Sequence, residues 1–318
     1  MNIPIFRVRK TGLYTTIQDN GRFGFQKYGV VTSGVMDSFS AELANIVVGN
    51  PRSFATIEIT IVGPELEVLN PCTVAFCGAD LSVTKNGNPI DLWSAIIMKK
   101  GDIIQFSKPN AGSRLYMAIA GGIQAENVLG SMSVYEKAGF GQVVKNDQII
   151  YGRKHLPVTY IKRLPKQFIP TFHTHETIRV VLGPHESRFT ESGIHTFLTT
   201  HYTIKMADRM GYRLQSNKNI SHVNGADIYS EAIPIGSIQV PASGQPIVLL
   251  ADRQTTGGYT RIATVATVDL GKLTQMPVGG IIRFKVISIY ESQRLLRKRE
   301  RQLRIWDLLN TNNITASS

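Results

Sequence analysis

Cysteine is scarce: Cys72 and Cys77 are the only two in 318 residues. Both sit in the apolar run Cys72-Thr-Val-Ala-Phe-Cys77. Strand residues five apart face opposite sides, which argues against a disulfide between them. Two lone cysteines match no common zinc spacing either, so buried, inert thiols in a reducing compartment are expected. No apolar run is long enough to span a bilayer. The start, Met1-Asn-Ile-Pro-Ile-Phe-Arg7, lacks a charged segment followed by an apolar core and a cleavage site. A cytoplasmic protein without a membrane partner is the expectation. Ser33 lacks the Gly-x-Ser-x-Gly context of an elbow nucleophile. Met98-Lys99-Lys100 departs from the Met-Lys-Met context of biotin attachment. None of the seven histidines falls at metal or triad spacing, so no metal site is expected.

An apolar fraction of 42% is enough for the core of one large or two medium domains. The net charge of +12 is partly local. Arg294, Arg297, Lys298, Arg299, Arg301 and Arg304, set against Glu300, account for +5 and leave +7 dispersed over the rest. No nucleic-acid motif accompanies this charge, so anionic small substrates or an acidic partner explain it better than nucleic acid. From Glu291 the composition is helical, with Leu295, Leu296, Leu303, Trp306 and Leu309 as apolar contacts. That tail reads as a docked, solvated helix, or as a basic amphipathic helix meeting an acidic surface.

The periodicity is mainly β with a few helices. Between residues 55 and 120, short alternating runs are punctuated by Gly, Pro and Asn, the pattern of a barrel or sandwich. Asn86-Gly87 is the sharpest hairpin signal. Phe39, Leu43, Ile46 and Val47 fall at helical spacing after Asp37 or Ser38 as N-cap, with Gly49-Asn50-Pro51 as the stop. A second β region starts near Ile178, residues 189–202 hold a short helix, and Pro157, Pro165 and Pro170 mark a connection. Three pairs of segments recur in order. Glu58-Ile-Thr-Ile-Val-Gly63 resembles Glu231-Ala-Ile-Pro-Ile-Gly236, Thr73–Asp80 resembles Ile247–Asp252, and Gly101–Phe106 resembles Gly279–Phe284. An internal pseudo-repeat of one β unit follows. The expected division is 1–165, 166–290 and a basic helical tail, 291–318.

The stretch richest in hydrogen-bonding groups is Asp252-Arg-Gln-Thr-Thr-Gly-Gly-Tyr259, flanked by apolar runs. It reads as a polar loop, and it lacks the P-loop lysine. Asp252 is a candidate base, or orients Arg253, or accepts backbone N–H groups at a turn. Gln254, Thr255 and Thr256 are donors suited to an oxyanion or phosphate, and Gly257 and Gly258 would let backbone N–H groups reach it. A tight barrel corner is the alternative. Gln18, Asp19 and Arg22 form a second cluster, or a turn held by side-chain bonds. Ser33 and Asp37 read as helix entry and cap, at an N-terminus that also suits an anion. Asp208, Arg209 and Arg213 supply a cationic pocket or a structural ion pair.

Several of these motifs together resemble a known family. Thr15-Thr-Ile-Gln-Asp-Asn-Gly-Arg-Phe-Gly24, Ser33-Gly-Val-Met-Asp37, Val48-Gly-Asn50, Glu58 with Thr60, and Gly63-Pro64 open the match. Gly183-Pro184, Phe189, Asp208-Arg-Met-Gly-Tyr-Arg-Leu214, Asp252–Tyr259, Asp269-Leu270 and Gln275 continue it in order. The sequence resembles the KipA family, which comprises the C subunits of 5-oxoprolinases, also called allophanate hydrolase subunit 2, within the biotin-dependent carboxyltransferase grouping. Val35 and Thr260 depart from the family pattern, at no reactive group, and the basic tail lies outside it. The resemblance implies two cyclophilin-like β-barrel units and, for a partner, a KipI-like B subunit. Together with an A subunit, such proteins open 5-oxoproline to glutamate using ATP (with Mg), and the isolated protein is expected to be inactive. On that reading Asp252, Gln254, Thr255 and Thr256 are catalytic. Gln18, Asp19, Arg22, Ser33, Asp37, Arg209, Arg213, Arg253, Gly257, Gly258 and Tyr259 bind substrate. Other branches imply a non-catalytic regulator that binds a KipI-like kinase inhibitor, or a urea/allophanate-type carboxyltransferase component whose biotin arrives on another chain.

Overall fold

The computed structural model describes residues 3–153 and 163–315, with side chains as far as Leu309. Of the connector prolines, Pro157 lies outside the described residues. The chain is mainly β with four α-helices among the described residues, as its periodicity indicates. It divides into two units: unit 1 takes residues up to 22, 33–172 and from 301 onward, and unit 2 takes 23–32 and 173–300. The division falls after Phe172, and the segment 23–32 is counted with unit 2.

Unit 1 contains β1 (Ile3–Lys10), β2 (Tyr14–Gln18), helix α1 (Ser38–Val47), β3 (Thr56–Thr60), β4 (Glu65–Val68), β5 (Cys72–Asp80), β6 (Thr84–Lys85) and β7 (Asn88–Pro89). It continues with β8 (Ala95–Met98), β9 (Ile103–Gln105), β10 (Ala111–Ile119), β11 (Ile123–Gln124) and β12 (Ile149–Gly152). One sheet runs β11-β12-β1-β4-β9-β6-β7 and the other β2-β3-β10-β5-β8. Asn86 and Gly87, with φ of +53° and +79°, turn β6 into β7, the left-handed pair that an Asn-Gly hairpin supplies.

The register of the five-stranded sheet sorts its side chains. Ile57, Ile59, Leu115, Met117 and Phe76 lie in the core cluster that also takes Phe6, Leu66 and Ile104 from the seven-stranded sheet. On the opposite face Thr16, Glu58, Tyr116 and Cys77 form one cross-strand row. Leu43, Ala44 and Val47 of α1 pack over that face with Ala75, Cys77 and Ala118. Asp37 is the helix cap: its carboxylate accepts from the Ser40 N–H and hydroxyl. Cys72 and Cys77 are buried and free.

Unit 2 contains β13 (His175–Leu182), α2 (Glu191–Thr199), β14 (Tyr202–Ala207), β15 (Gly211–Gln215), β16 (Asp227–Ala232) and β17 (Ser237–Gln239). After these come β18 (Ile247–Leu249), β19 (Thr256–Tyr259), β20 (Arg261–Val265), α3 (Thr267–Thr274) and β21 (Ile281–Val286). Seven of the strands close a barrel in the order β13-β20-β17-β18-β15-β14-β21, with β21 returning parallel to β13. Alternate residues such as Ile178, Val180, Ile204, Tyr212, Leu214, Val248 and Phe284 are buried, as a small barrel requires. Phe197 of α2 stacks on Phe284 at 4.6 Å. The remaining two strands, β16 and β19, form a separate antiparallel ribbon. Helix α4 (Ile289–Thr315) starts in unit 2 and ends in unit 1.

Two features differ from the sequence reading. Half of the expected loop at 252–259 is strand β19, paired with β16. Helix α3 has no clear signal, since its sequence carries Gly271 and β-branched residues. Tertiary contacts hold it instead: Leu270 and Leu273 are buried, and Asp269 takes two guanidinium bonds from Arg179 at 2.9 and 2.5 Å.

Candidate active site

In unit 2 the turn after β18 meets the turn before β15. Backbone bonds staple them: Asp252 N–H donates to the Arg209 carbonyl at 2.8 Å, and Leu250 N–H to that of Met210 at 2.9 Å. Across this staple Arg209 donates through Nε and Nη2 to the two Asp252 oxygens, at 2.8 and 3.0 Å, with both side chains buried. Such a fork-on-carboxylate pair is both directional and strong. Asp252 therefore orients Arg209 rather than Arg253. Asp208 does local work, accepting from the Met210 and Gly211 N–H groups.

Arg253 has a different environment. It is 6% exposed, and its Nε and Nη1 donate to the carbonyls of Ile233 at 2.8 Å and Leu250 at 3.3 Å. Among the described residues no carboxylate pairs with it. Burial pulls its pKa down from 12.5 to about 10, which still leaves a full cation at neutral pH. Buried charges are ordinarily paired, so this guanidinium has capacity for an anion. Gln254 and Thr255 follow it half-buried and Thr256 exposed, and none of their side chains is hydrogen-bonded to another described residue.

The two glycines serve packing. Neither has a positive φ. A Cβ on Gly257 would lie 2.5 Å from Ile233 Cδ1 and 2.9 Å from Gln239 Nε2, and one on Gly258 would lie 3.3 Å from the Ile228 carbonyl oxygen. Gly257 stands opposite Glu231 in the ribbon, and a Cβ there would require the side-chain ends of Ile233 and Gln239 to give way. Tyr259 closes the ribbon opposite Asp227. Arg213 lies on β15 with its side chain exposed, apart from the buried Arg209–Asp252 pair.

In unit 1 the structure brings Gln18, Asp19, Arg22 and Ser33 together, around the segment 128–134. The Asp19 carboxylate accepts from the Ser131 and Ser133 hydroxyls, each at 2.6 Å, and from the N–H groups of Met132 and Gly21 at 2.7 and 2.9 Å. Arg22 donates to the carbonyls of Val128, Ser131 and Ser133, with Phe140 under its guanidinium at 4.7 Å. Gln18 Nε2 and Ser33 Oγ both donate to the Val134 carbonyl. These contacts clamp backbone to backbone. Asp37 belongs to a neighbouring network. Its N–H donates to Tyr116 Oη at 2.8 Å, and that hydroxyl donates to Glu58 Oε2 at 2.9 Å, which also accepts from Met36 N–H. Burial and the adjacent Glu58 carboxylate push the Tyr116 phenol well above its ordinary range. Of the backbone donors at the start of α1, Asp37 itself engages the Ser40 N–H.

Glu58, Tyr116, Ser131 and Ser133 hold the unit 1 cluster and were not among the candidates. Glu58 alone had a signal: a charge in the alternating run Thr56-Ile-Glu-Ile-Thr60, on the face away from the two isoleucines.

A family model described as the carboxyltransferase domain, subdomain A and B, matches residues 28–286. The chain belongs to this family. As a carboxyltransferase-domain protein it is 31% identical over 313 residues to the 5-oxoprolinase C subunit of Escherichia coli (strain K12), covering 97% of this chain and 100% of that protein. It is 31% identical over 291 residues to the 5-oxoprolinase C subunit of Haemophilus influenzae, covering 90% of this chain and 92% of that one. The crystal structure of the Kluyveromyces lactis urea carboxylase superposes with a TM-score of 0.88 at 28% identity, over 96% of this chain. The chain spans 29% of that larger protein. The resemblance to the 5-oxoprolinase C subunits read from the motifs is borne out. Among the described residues no helix is long and apolar enough to cross a membrane.

Proposed function

We propose that this carboxyltransferase-domain protein is the C subunit of a cytoplasmic ATP-dependent 5-oxoprolinase, acting with a KipI-like B subunit, and with an A subunit, to open 5-oxoproline to glutamate. Similarity to two proteins named as 5-oxoprolinase C subunits, over nearly their full lengths, supports the reading. The observation that carries it to a site is Arg253, a buried cation whose partners among the described residues are carbonyls, followed by Gln254, Thr255 and Thr256, whose side chains bond no other described residue. 5-Oxoproline is a lactam bearing a carboxylate. Its opening needs a cation for that carboxylate and donors where the ring oxygen gains charge. Arg253 supplies the first, and the amide and hydroxyls of the next three residues supply the second. Asp252, held on both oxygens by Arg209, fixes the turn that presents them. ATP, bound with Mg at the level of the complex, supplies a phosphoryl group, and this donor set suits a phosphoryl oxygen as well as a carboxylate.

The family model and the urea carboxylase structure favour a second reading, in which the same donors receive a carboxyl group carried by biotin on another chain.

The test is ATP-dependent glutamate release from 5-oxoproline by the reconstituted three-protein mixture, with each protein omitted in turn, using Arg253→Gln and Gln254→Ala. Activity should appear only in the complete mixture and fall at least about tenfold in either variant while the complex still assembles. Unchanged turnover in both variants would remove the site from this loop. Absence of glutamate, with carboxylation of urea in the presence of carboxybiotin, would decide for the second reading. A stable complex with neither activity would decide for a binding-only regulator.

A further inference from the structure

On the outer wall of the unit 2 barrel, β14 and β15 border a groove of about 420 Å³. Lys205 and Arg213 both line it, and both side chains are exposed. A register shift between Ile204 and Met206 sets Arg213 opposite Met206, the residue next to Lys205, so the two cations stand on adjacent strands. No acidic residue lines the groove, and among the described residues neither cation has a carboxylate partner. The adjacent acid, Asp208, is occupied by the Met210 and Gly211 N–H groups. Like charges on neighbouring strands repel, and a concave surface concentrates their field, so the arrangement favours an anion. Tyr259, 42% exposed, adds a phenol at the rim. Met206, Pro241 and Ile247 give the groove an apolar wall. None of Arg209, Asp252 or Arg253 lines it.

We propose that this groove is a second anion site, for a compact ligand with a short apolar body and a carboxylate or phosphate group held between Lys205 and Arg213. Its volume falls in the range of small-ligand pockets, roughly 300–1,000 Å³, and Arg213 offers the planar fork that both anions accept. The site does not depend on the activity proposed above, because it is read on this chain alone and in the absence of the partner proteins.

The experiment is titration calorimetry on the full chain at low salt, with glutarate, inorganic phosphate and the neutral diamide glutaramide as probes. Glutarate or phosphate should bind, whichever does identifying the anion, and glutaramide should not. Lys205→Ala should weaken binding at least about tenfold and Arg213→Glu should abolish it, as loss of a charge-assisted contact requires. Arg253→Gln should leave it unchanged. Both groove residues are exposed, so an unaltered melting temperature shows that the variants fold. Binding of neither anion, or affinity unaltered in Lys205→Ala and Arg213→Glu, overturns the proposal. Loss of binding in Arg253→Gln alone would also overturn it, by moving the anion to the interior loop.

Discussion

Asp252→Asn tests the physical core of the unit 2 site. The substitution keeps the shape of the side chain and removes its charge. Arg209 then loses the carboxylate it meets at 2.8 and 3.0 Å, in a place where both groups are buried. Removing one member of a buried pair costs about 3–5 kcal/mol, because the remaining charge stays desolvated. At roughly 2.1 cal/mol/K per residue, unfolding 318 residues carries an entropy of about 0.67 kcal/mol/K, so each kcal/mol moves Tm by about 1.5 °C and a fall of about 4–8 °C is expected. Arg209→Met should cost a similar amount. The double variant Arg209→Met/Asp252→Leu should recover most of the loss, since an apolar pair needs no compensation. Thermal and urea unfolding of the four proteins form a double-mutant cycle, with an expected coupling above about 2 kcal/mol. Single variants within about 1 kcal/mol of the parent, or costs that simply add, would refute the reasoning. The cycle bears on mechanism as well. A variant that loses turnover because its barrel loosens says nothing about a base, so Asp252 counts as a base only if turnover falls in a variant of preserved stability.

Two further outcomes follow from unit 1. Tyr116→Phe removes the hydroxyl that joins Asp37 N–H to Glu58. It should destabilise the protein by about 2–3 kcal/mol in urea unfolding, the scale of a buried bond to a charged group plus a donor left unmet; a loss under about 0.5 kcal/mol would show that the network is dispensable. Burial pushes the Cys72 thiol up from 9.0 to about 12 and raises Cys77 too. Both should therefore react with a disulfide reagent at pH 8 far more slowly in the native chain than in urea, and rapid native labelling would contradict their burial. The sign of the linkage is fixed. Below about pH 9 both folded and unfolded thiols are protonated and stability is unaffected. As pH rises from about 9 towards 12 the unfolded thiols ionise first, and stability falls.

The local signals were legible where one short segment settles its own conformation. Asp37 with Ser40 specifies the start of α1, and Asn86-Gly87 specifies a hairpin, because each depends on backbone geometry within four residues. Gly257-Gly258 misled for the same reason. Glycine pairs mark turns when read locally, and here they lie on a strand, where a Cβ on Gly257 would meet the side-chain ends of Ile233 and Gln239. The polar residues of the Asp252–Tyr259 stretch were visible as an unusual concentration of donors. Their division of labour was not, since Asp252 is matched to an arginine 43 residues away while the adjacent Arg253 donates to the carbonyls of Ile233 and Leu250.

The amino-acid sequence by itself determined the β class, the first helix, the absence of a cysteine-based scaffold and the family, because alternation, capping chemistry and ordered motifs are properties of short stretches. Only the tertiary structure decided that Asp19 and Arg22 are consumed in clamping residues 128–134, that Glu58 faces Tyr116 beneath α1, and that Lys205 and Arg213 share one groove. Those outcomes depend on which charges burial leaves with a partner, and partners are assigned by strand register and barrel closure across tens of residues.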